Sequence, residues 1–239
     1  MGMGKSLVHL FIVALLVYPW QQAMAADPCA EGKLRAATIV DGNKLLLKWS
    51  GTVNEGMGPA IAAEFDAHKL RTKSVELSLQ SCGGRTDYMA AVIGVLRHIK
   101  TTHKLTTVVE RGAMCASACI PIFLASDRRT AALSSVWFFH RSWRHQLVGG
   151  VDGVVTRMPG RSSLTRYLEQ YYASAGVSRG WLSGLEVIIE KGAGYWRTGR
   201  DLWEDKSGII TETISDIQAP DTSPIYVAPA PACTTMCRG

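Results

Sequence analysis

Val75-Glu76-Leu77-Ser78-Leu79-Gln80-Ser81-Cys82-Gly83-Gly84 is an alternating apolar and polar run that passes straight into a small-residue turn. Alternation of this kind is the mark of a strand, and the two glycines supply the backbone freedom that a sharp exit needs. The next segment agrees with a turn. From Thr86, Met89, Val92, Ile93, Leu96 and Ile99 keep the three-and-four spacing of an amphipathic helix, which closes at Lys100 in a basic last turn that suits the helix dipole. A strand, a glycine turn and a helix form the unit from which parallel sheets are built.

The unit recurs along the chain. Residues 106–110 are β-branched and predict the next strand; Arg111-Gly112 and a small-residue apolar segment over 115–125 predict a second turn and helix. Val136-Trp137-Phe138-Phe139-His140 predicts a strand ending on a histidine, and Gly149-Gly150-Val151-Asp152-Gly153 predicts a loop. Upstream, Ala37-Thr38-Ile39-Val40 and Leu45-Leu46-Leu47-Lys48-Trp49 flank Asp41-Gly42-Asn43 as a hairpin, and Pro59 opens a helix with Ile61, Phe65 and His68 on one face. Downstream, Leu164, Leu168, Tyr171 and Tyr172 mark one helix and Trp181, Leu185, Ile188 and Ile189 another. The expected fold class is α/β, a parallel sheet flanked by helices.

Composition sets the outer limits. The chain has 239 residues, 47% of them apolar and 19% charged, which excludes a disordered polymer, a collagen-like repeat and a minimal disulfide scaffold. Lys5, an apolar run over 7–18 and Ala23-Met24-Ala25 make residues 1–25 read as a secretory signal peptide, too short for a comfortable bilayer span. No stable membrane anchor is expected after cleavage, and the destination is exported, periplasmic or secreted. Residues 26–214 are expected to form the folded domain. Residues 215–239 hold four of the nine prolines, at 220, 224, 229 and 231, and read as an extended or disordered tail. Cleavage removes Lys5 and no acid, lowering the formal charge of +6 by one; this is too mild to argue for nucleic acid. Arg128, Arg129, Arg141, Arg144, Arg157, Arg161 and Arg166 read as a solvated basic surface.

All six cysteines, Cys29, Cys82, Cys115, Cys119, Cys233 and Cys237, lie beyond the signal, where an oxidising compartment favours disulfides. Their pairing is open from the sequence. The Cys115-x-x-x-Cys119 and Cys233-x-x-x-Cys237 spacings lack the tight spacing of structural zinc sites, so no metal and no cofactor is expected.

Ser81-Cys82-Gly83-Gly84 and Gly112-Ala113-Met114-Cys115-Ala116-Ser117-Ala118-Cys119 each join a strand end to a helix start, where backbone N–H groups point outward uncommitted. Carried by adjacent parallel strands, they meet at one sheet edge. Ser117 is then a nucleophile, the N–H groups of Gly84 and Ala118 are an oxyanion hole, and His140 is the general base. In the bland alternative, Ser117 is a small residue at a tight packing point and His140 an ordinary strand-end residue.

Leu79-Gln80-Ser81-Cys82-Gly83-Gly84 with its adjoining helix, the alanine-flanked Ser117 and Phe139-His140 together resemble the Clp protease proteolytic subunit and the wider ClpP/crotonase superfamily. The signal peptide with Cys115-Ala116-Ser117-Ala118-Cys119 resembles, more closely, the exported ClpP-like proteins of bacteria. The resemblance runs from about residue 38 to 211. It implies a ClpP/crotonase-like fold of repeated ββα units, with Ser117 at the nucleophile position, His140 at the base, and Gly84 and Ala118 as oxyanion donors. It also implies a homo-oligomer acting on peptides or unfolded polypeptide, and it makes the 196–210 stretch the segment that closes the fold.

The sequence departs from the family in two places. The family's acid should precede the closing segment, where this chain reads Lys191-Gly192-Ala193-Gly194-Tyr195-Trp196. Glu190 or Asp201 is the substitute third member, or a backbone carbonyl orients His140 in a dyad. Cys82 stands in place of a usual proline, and a bridge from it to Cys115 or Cys119 would tie the two oxyanion-bearing segments together. There is no P-loop pattern and an exported compartment lacks ATP, so the expected activity is an ATP-independent serine peptidase. A catalytically silent scaffold of the same fold and a crotonase-type enzyme acting on a thioester are the alternatives.

Overall fold

In the computed structural model, β1 (Lys33–Val40) and β2 (Lys44–Ser50) form the expected antiparallel hairpin, with Ile39 opposite Leu45. Asp41 and Gly42 take successive positive φ values of 51° and 71°, the conformation that Asp and Gly tolerate best in a hairpin turn. The structure describes residues 27–141, 144–147, 154–157, 161–192 and 194–214. The expected signal peptide, the proline-rich tail, Cys233 and Cys237 lie outside the described residues, as does the predicted glycine loop at 149–153.

From the hairpin the chain enters α1 (Met57–His68), which buries Met57, Ile61 and Phe65. β3 (Ser74–Gln80) then pairs parallel to β2, with Leu77 opposite Leu47. α2 (Thr86–Lys100) buries Met89, Val92, Ile93, Leu96 and Ile99, the face its spacing dictated. Each such side chain contributes about 2 kcal/mol of transfer free energy. β4 (Lys104–Val109) continues the sheet in parallel beside β3.

Beyond β4 the chain alternates between two sheets. β5 (Met114–Ala116) leads into α3 (Cys119–Phe123); β6 (Arg128–Ala132) returns to the large sheet, and β7 (Val136–Phe139) pairs parallel with β5. A two-stranded ribbon, β8 (Arg144–Leu147) with β9 (Val154–Arg157), precedes α4 (Arg161–Tyr171) and α5 (Arg179–Glu190). β10 (Tyr195–Thr198) pairs antiparallel with β7, α6 (Gly199–Glu204) comes next, and β11 (Glu212–Ile214) closes the large sheet beside β6. The large sheet runs β1-β2-β3-β4-β6-β11 and the small one β10-β7-β5. β4-β5-α3 is a ββα unit whose first strand joins the large sheet and whose second joins the small one. The α/β class, with a largely parallel sheet flanked by helices, is as the sequence led one to expect.

Three features depart from the sequence reading. β6 is a strand that Arg128-Arg129-Thr130 conceals, because its polar residues give no apolar alternation. Arg129 is not part of a solvated basic surface: it is 6% exposed, and its guanidinium donates to the carbonyls of Ser126 (3.0 Å), Gly208 (2.9 Å) and Ile209 (2.8 Å). It thereby fastens the closing segment to the sheet, three carbonyls offsetting its desolvation. Third, the β8–β9 ribbon had no clear sequence signal. No helix among the described residues is long and apolar enough to cross a membrane.

Candidate active site

The glycine turn and the serine segment come from different sheets and are stitched together by backbone. Ser81, just past β3, forms a parallel bridge with Cys115 of β5. Ser81 N–H donates to Met114 O at 2.7 Å and Ala116 N–H donates to Ser81 O at 2.9 Å. From the sequence, both segments were expected on adjacent strands of one sheet. The actual join is a single bridge at the seam between two sheets, and it brings the same residues together.

Gly83 sits where no side chain fits. Its φ is +98°, and a Cβ there would lie 2.6 Å from Ser117 Cβ and 2.8 Å from Ala116 O. Its own groups are engaged, the N–H on Ser81 Oγ at 3.1 Å and the carbonyl on Val53 N–H at 2.7 Å. Gly84 is exposed and bridges Val53, whose carbonyl oxygen would lie 2.1 Å from an added Cβ. Its N–H donates to no residue among those described.

Ser117 has φ +53°, one of three described non-glycine residues in the left-handed region. That conformation costs a side-chain-bearing residue about 1–2 kcal/mol. The neighbouring hydrogen bonds hold it: Ser117 N–H donates to Phe138 O (2.9 Å) and Ile120 N–H to Ser117 O (3.0 Å). Because Ser117 N–H is engaged, the N–H left over is that of Ala118, at the N-terminus of α3. Ser117 itself is half-buried, while Ala116 and Ala118 on either side are buried.

Two disulfides frame this arrangement. Cys115–Cys119 spans Ser117, with Cα atoms 5.3 Å apart and both residues fully buried. Cys29–Cys82 ties the chain's described N-terminal end to the glycine turn, with Cα atoms 5.2 Å apart and Cys82 N–H donating to Pro28 O at 2.9 Å. The expected bridge from Cys82 to Cys115 or Cys119 is therefore wrong. Register explains it: Ser81, not Cys82, faces Cys115, and the next residue along an extended segment points to the other side.

His140 comes directly after β7. The pairing of Ala116 with Phe138 sets it just beyond the strand edge from which Ser117 projects. Its Nδ1 lies 2.9 Å from Arg141 O, so Nδ1–H donates there and Nε2 keeps its lone pair. Burial holds its pKa below the ordinary imidazole value, the Arg141 contact opposing this more weakly. No hydrogen bond joins Ser117 Oγ to the ring in this structure.

Of the two acids, Glu190 is the half-buried last residue of α5. Asp201 belongs to a capping box: its carboxylate accepts from Thr198 N–H at 2.7 Å, and Thr198 Oγ1 accepts from Asp201 N–H at 3.1 Å. The Thr198 backbone N–H is the main cause of its lowered pKa. The structure thus groups Gly84, Ser117, Ala118 and the strand end bearing His140, and it commits Asp201 to a helix cap. Among the described residues no cluster of three His, Cys, Asp or Glu side chains is arranged to hold a metal.

Four participants were not evident in the sequence. Val53 cradles Gly84, and Cys29 anchors the turn. Phe138 stacks on His140, and Trp196 stacks on Phe138. The cross-strand pairs had no sequence signal, since β10 was not read as a strand.

No protein-family model matches the chain, and no curated protein matches it. Solved structures do. A mutant of the membrane-bound stomatin-specific protease 1510-N matches with a TM-score of 0.53 at 18% identity, over 74% of this chain and 83% of that one. A ClpP1 mutant from Listeria monocytogenes matches with a TM-score of 0.52 at 15% identity, over 73% and 92%. A second mutant of 1510-N, in complex with a substrate peptide, matches with a TM-score of 0.51 at 17% identity, over 74% and 78%. With two sheets meeting at a glycine turn and a serine elbow, and with these neighbours, the chain has the ClpP/crotonase-like fold.

Proposed function

We propose that the chain is an exported serine peptidase of ClpP type that works without ATP. The observation that carries this reading is Ser117, held at a positive φ against the Gly83-Gly84 turn, with the N–H groups of Gly84 and Ala118 donating to no described residue. An ordinary packing residue does not need that conformation, whereas a nucleophile raised above its neighbours does. The two disulfides support an oxidising compartment. A peptide substrate is drawn from the protease neighbours, one of which holds a substrate peptide.

In this reading Ser117 Oγ attacks the scissile carbonyl carbon and His140 Nε2 takes the hydroxyl proton. The carbonyl π-electrons move to oxygen, and the Gly84 and Ala118 N–H groups hold the resulting oxyanion. Its collapse breaks the C–N bond as His140 returns the proton to the leaving amine. Water then attacks the acyl-serine with His140 again as base, freeing the acid and restoring Ser117. The Ser117–His140 hydrogen bond forms when substrate closes the site, catalytic hydrogen bonds being commonly loose in unliganded hydrolases. His140 acts in a dyad, its Nδ1–H held by the Arg141 carbonyl, with neither Glu190 nor Asp201 as an obligatory partner. The active form is a homo-oligomer.

The second reading is a silent scaffold, favoured by the missing Ser117–His140 hydrogen bond and by the commitment of Asp201 to a cap. A crotonase-type thioester reaction uses the two backbone donors but leaves the Ser117 conformation without a purpose. Labelling of the oxidised mature protein with a fluorophosphonate decides among them. Labelling that disappears in Ser117→Ala and slows in His140→Ala supports the peptidase; a folded, oligomeric wild type that does not label would reject it.

A further inference from the structure

The register of β10 on β7 pairs Tyr195 with Phe139 and Trp196 with Phe138, and the same register carried one step past the strand ends brings Gly194 opposite His140. A side chain at 194 would be the nearest cross-strand neighbour of the imidazole. None can stand there as the site is built, because a Cβ on Gly194 would fall 2.3 Å from Phe138 Cε2 and 2.4 Å from Cζ. The Phe138 ring occupies that space.

The same ring has neighbours on both sides. Trp196, its cross-strand partner, stacks on it with centroids 4.3 Å apart and planes 28° apart. His140, two residues on and therefore on the same side of β7, stacks with centroids 5.3 Å apart and planes 22° apart. Phe138 is 5% exposed, so the stack has a buried centre. Near-parallel packing at these separations fixes the plane of the imidazole, and the Arg141 carbonyl fixes its rotation within that plane. Among the described residues, Nε2 has no hydrogen-bond partner.

A carboxylate in a triad performs these two tasks, setting tautomer and orientation. At position 194 a carboxylate and the Phe138 ring exclude each other. Resting on the serine peptidase reading, we propose that Phe138, braced by Trp196 and admitted by Gly194, is a positioning residue that holds His140 in place of a triad carboxylate.

The test reads the His140 ring directly, by an NMR pH titration of its Cε1–H resonance, assigned through its loss in His140→Gln. Fluorophosphonate labelling rates are measured on the same samples across pH. In Phe138→Leu the His140 midpoint should rise toward the ordinary imidazole value, and labelling should slow roughly tenfold or more as the base loses its orientation. Phe138→Tyr, which keeps the ring, should recover most of that loss. Trp196→Leu should move both readouts in the same direction by less, and it carries the test if Phe138→Leu does not fold. A His140 midpoint unmoved in folded Phe138→Leu and Trp196→Leu would overturn the positioning role whatever the labelling does. A wild type that never labels, with the midpoint still moved by Phe138→Leu, would leave the stack standing and overturn the hydrolase reading.

Discussion

A methyl group placed on Gly83 would sit 2.6 Å from the Cβ of Ser117. The glycine turn and the serine elbow are therefore in contact through backbone that has no room for a side chain, and neither can move without the other. Gly83→Ala adds to that clash the cost of a φ of +98°. The expected outcome is a folded but destabilised protein whose fluorophosphonate labelling falls by roughly a hundredfold, the loss expected for a displaced oxyanion donor. Denaturant unfolding together with labelling of the folded fraction checks both parts.

The two disulfides should separate stability from activity. Cys29–Cys82 closes a sequence separation of 53 residues and Cys115–Cys119 one of only 4. Chain entropy assigns them about 4 and about 2 kcal/mol respectively. Cys29→Ala/Cys82→Ala should show the larger fall in unfolding free energy. Cys115→Ala/Cys119→Ala should show the larger fall in labelling, since that bridge brackets Ser117. Equal labelling losses per folded molecule would contradict the second part.

Burial keeps His140 neutral at a pH where a free imidazole would already be protonated. A base must be unprotonated, so labelling should hold its plateau below about pH 6.5 and fall only as the pH passes the lowered value. Stability moves with it. Between the two values the unfolded chain binds a proton that the folded chain does not, so unfolding free energy decreases as pH falls through that window and is unaffected above it. Comparing wild type with His140→Gln isolates this contribution, and a variant with the same pH slope would refute it.

Asp201 holds the first turn of α6 through its bonds with Thr198. Asp201→Ala should cost about 1 kcal/mol of stability, as a lost cap does, with labelling of the folded protein maintained. If labelling instead drops as far as in His140→Ala, Asp201 is the third member of a triad and the dyad is wrong.

Local spacing along the chain was enough to place the repeating elements. Periodicity located α2 and its buried face, turn residues located the first hairpin, and small residues at two strand ends marked Gly84, Ser117 and Ala118. Other features depend on which distant segments meet. Cys82 pairs with Cys29 because the bridge register sets Ser81 opposite Cys115. Arg129, one basic residue among several in the sequence, is buried because three carbonyls converge on it from its own strand end and the closing segment. The absent acid looked like a gap in a motif. In the folded chain the pairing of β10 with β7 sets Gly194 and Trp196 around one aromatic ring, that of Phe138. Periodicity governs what lies three or four residues apart, and it takes the closing of two sheets to bring residues separated by tens of positions onto one surface.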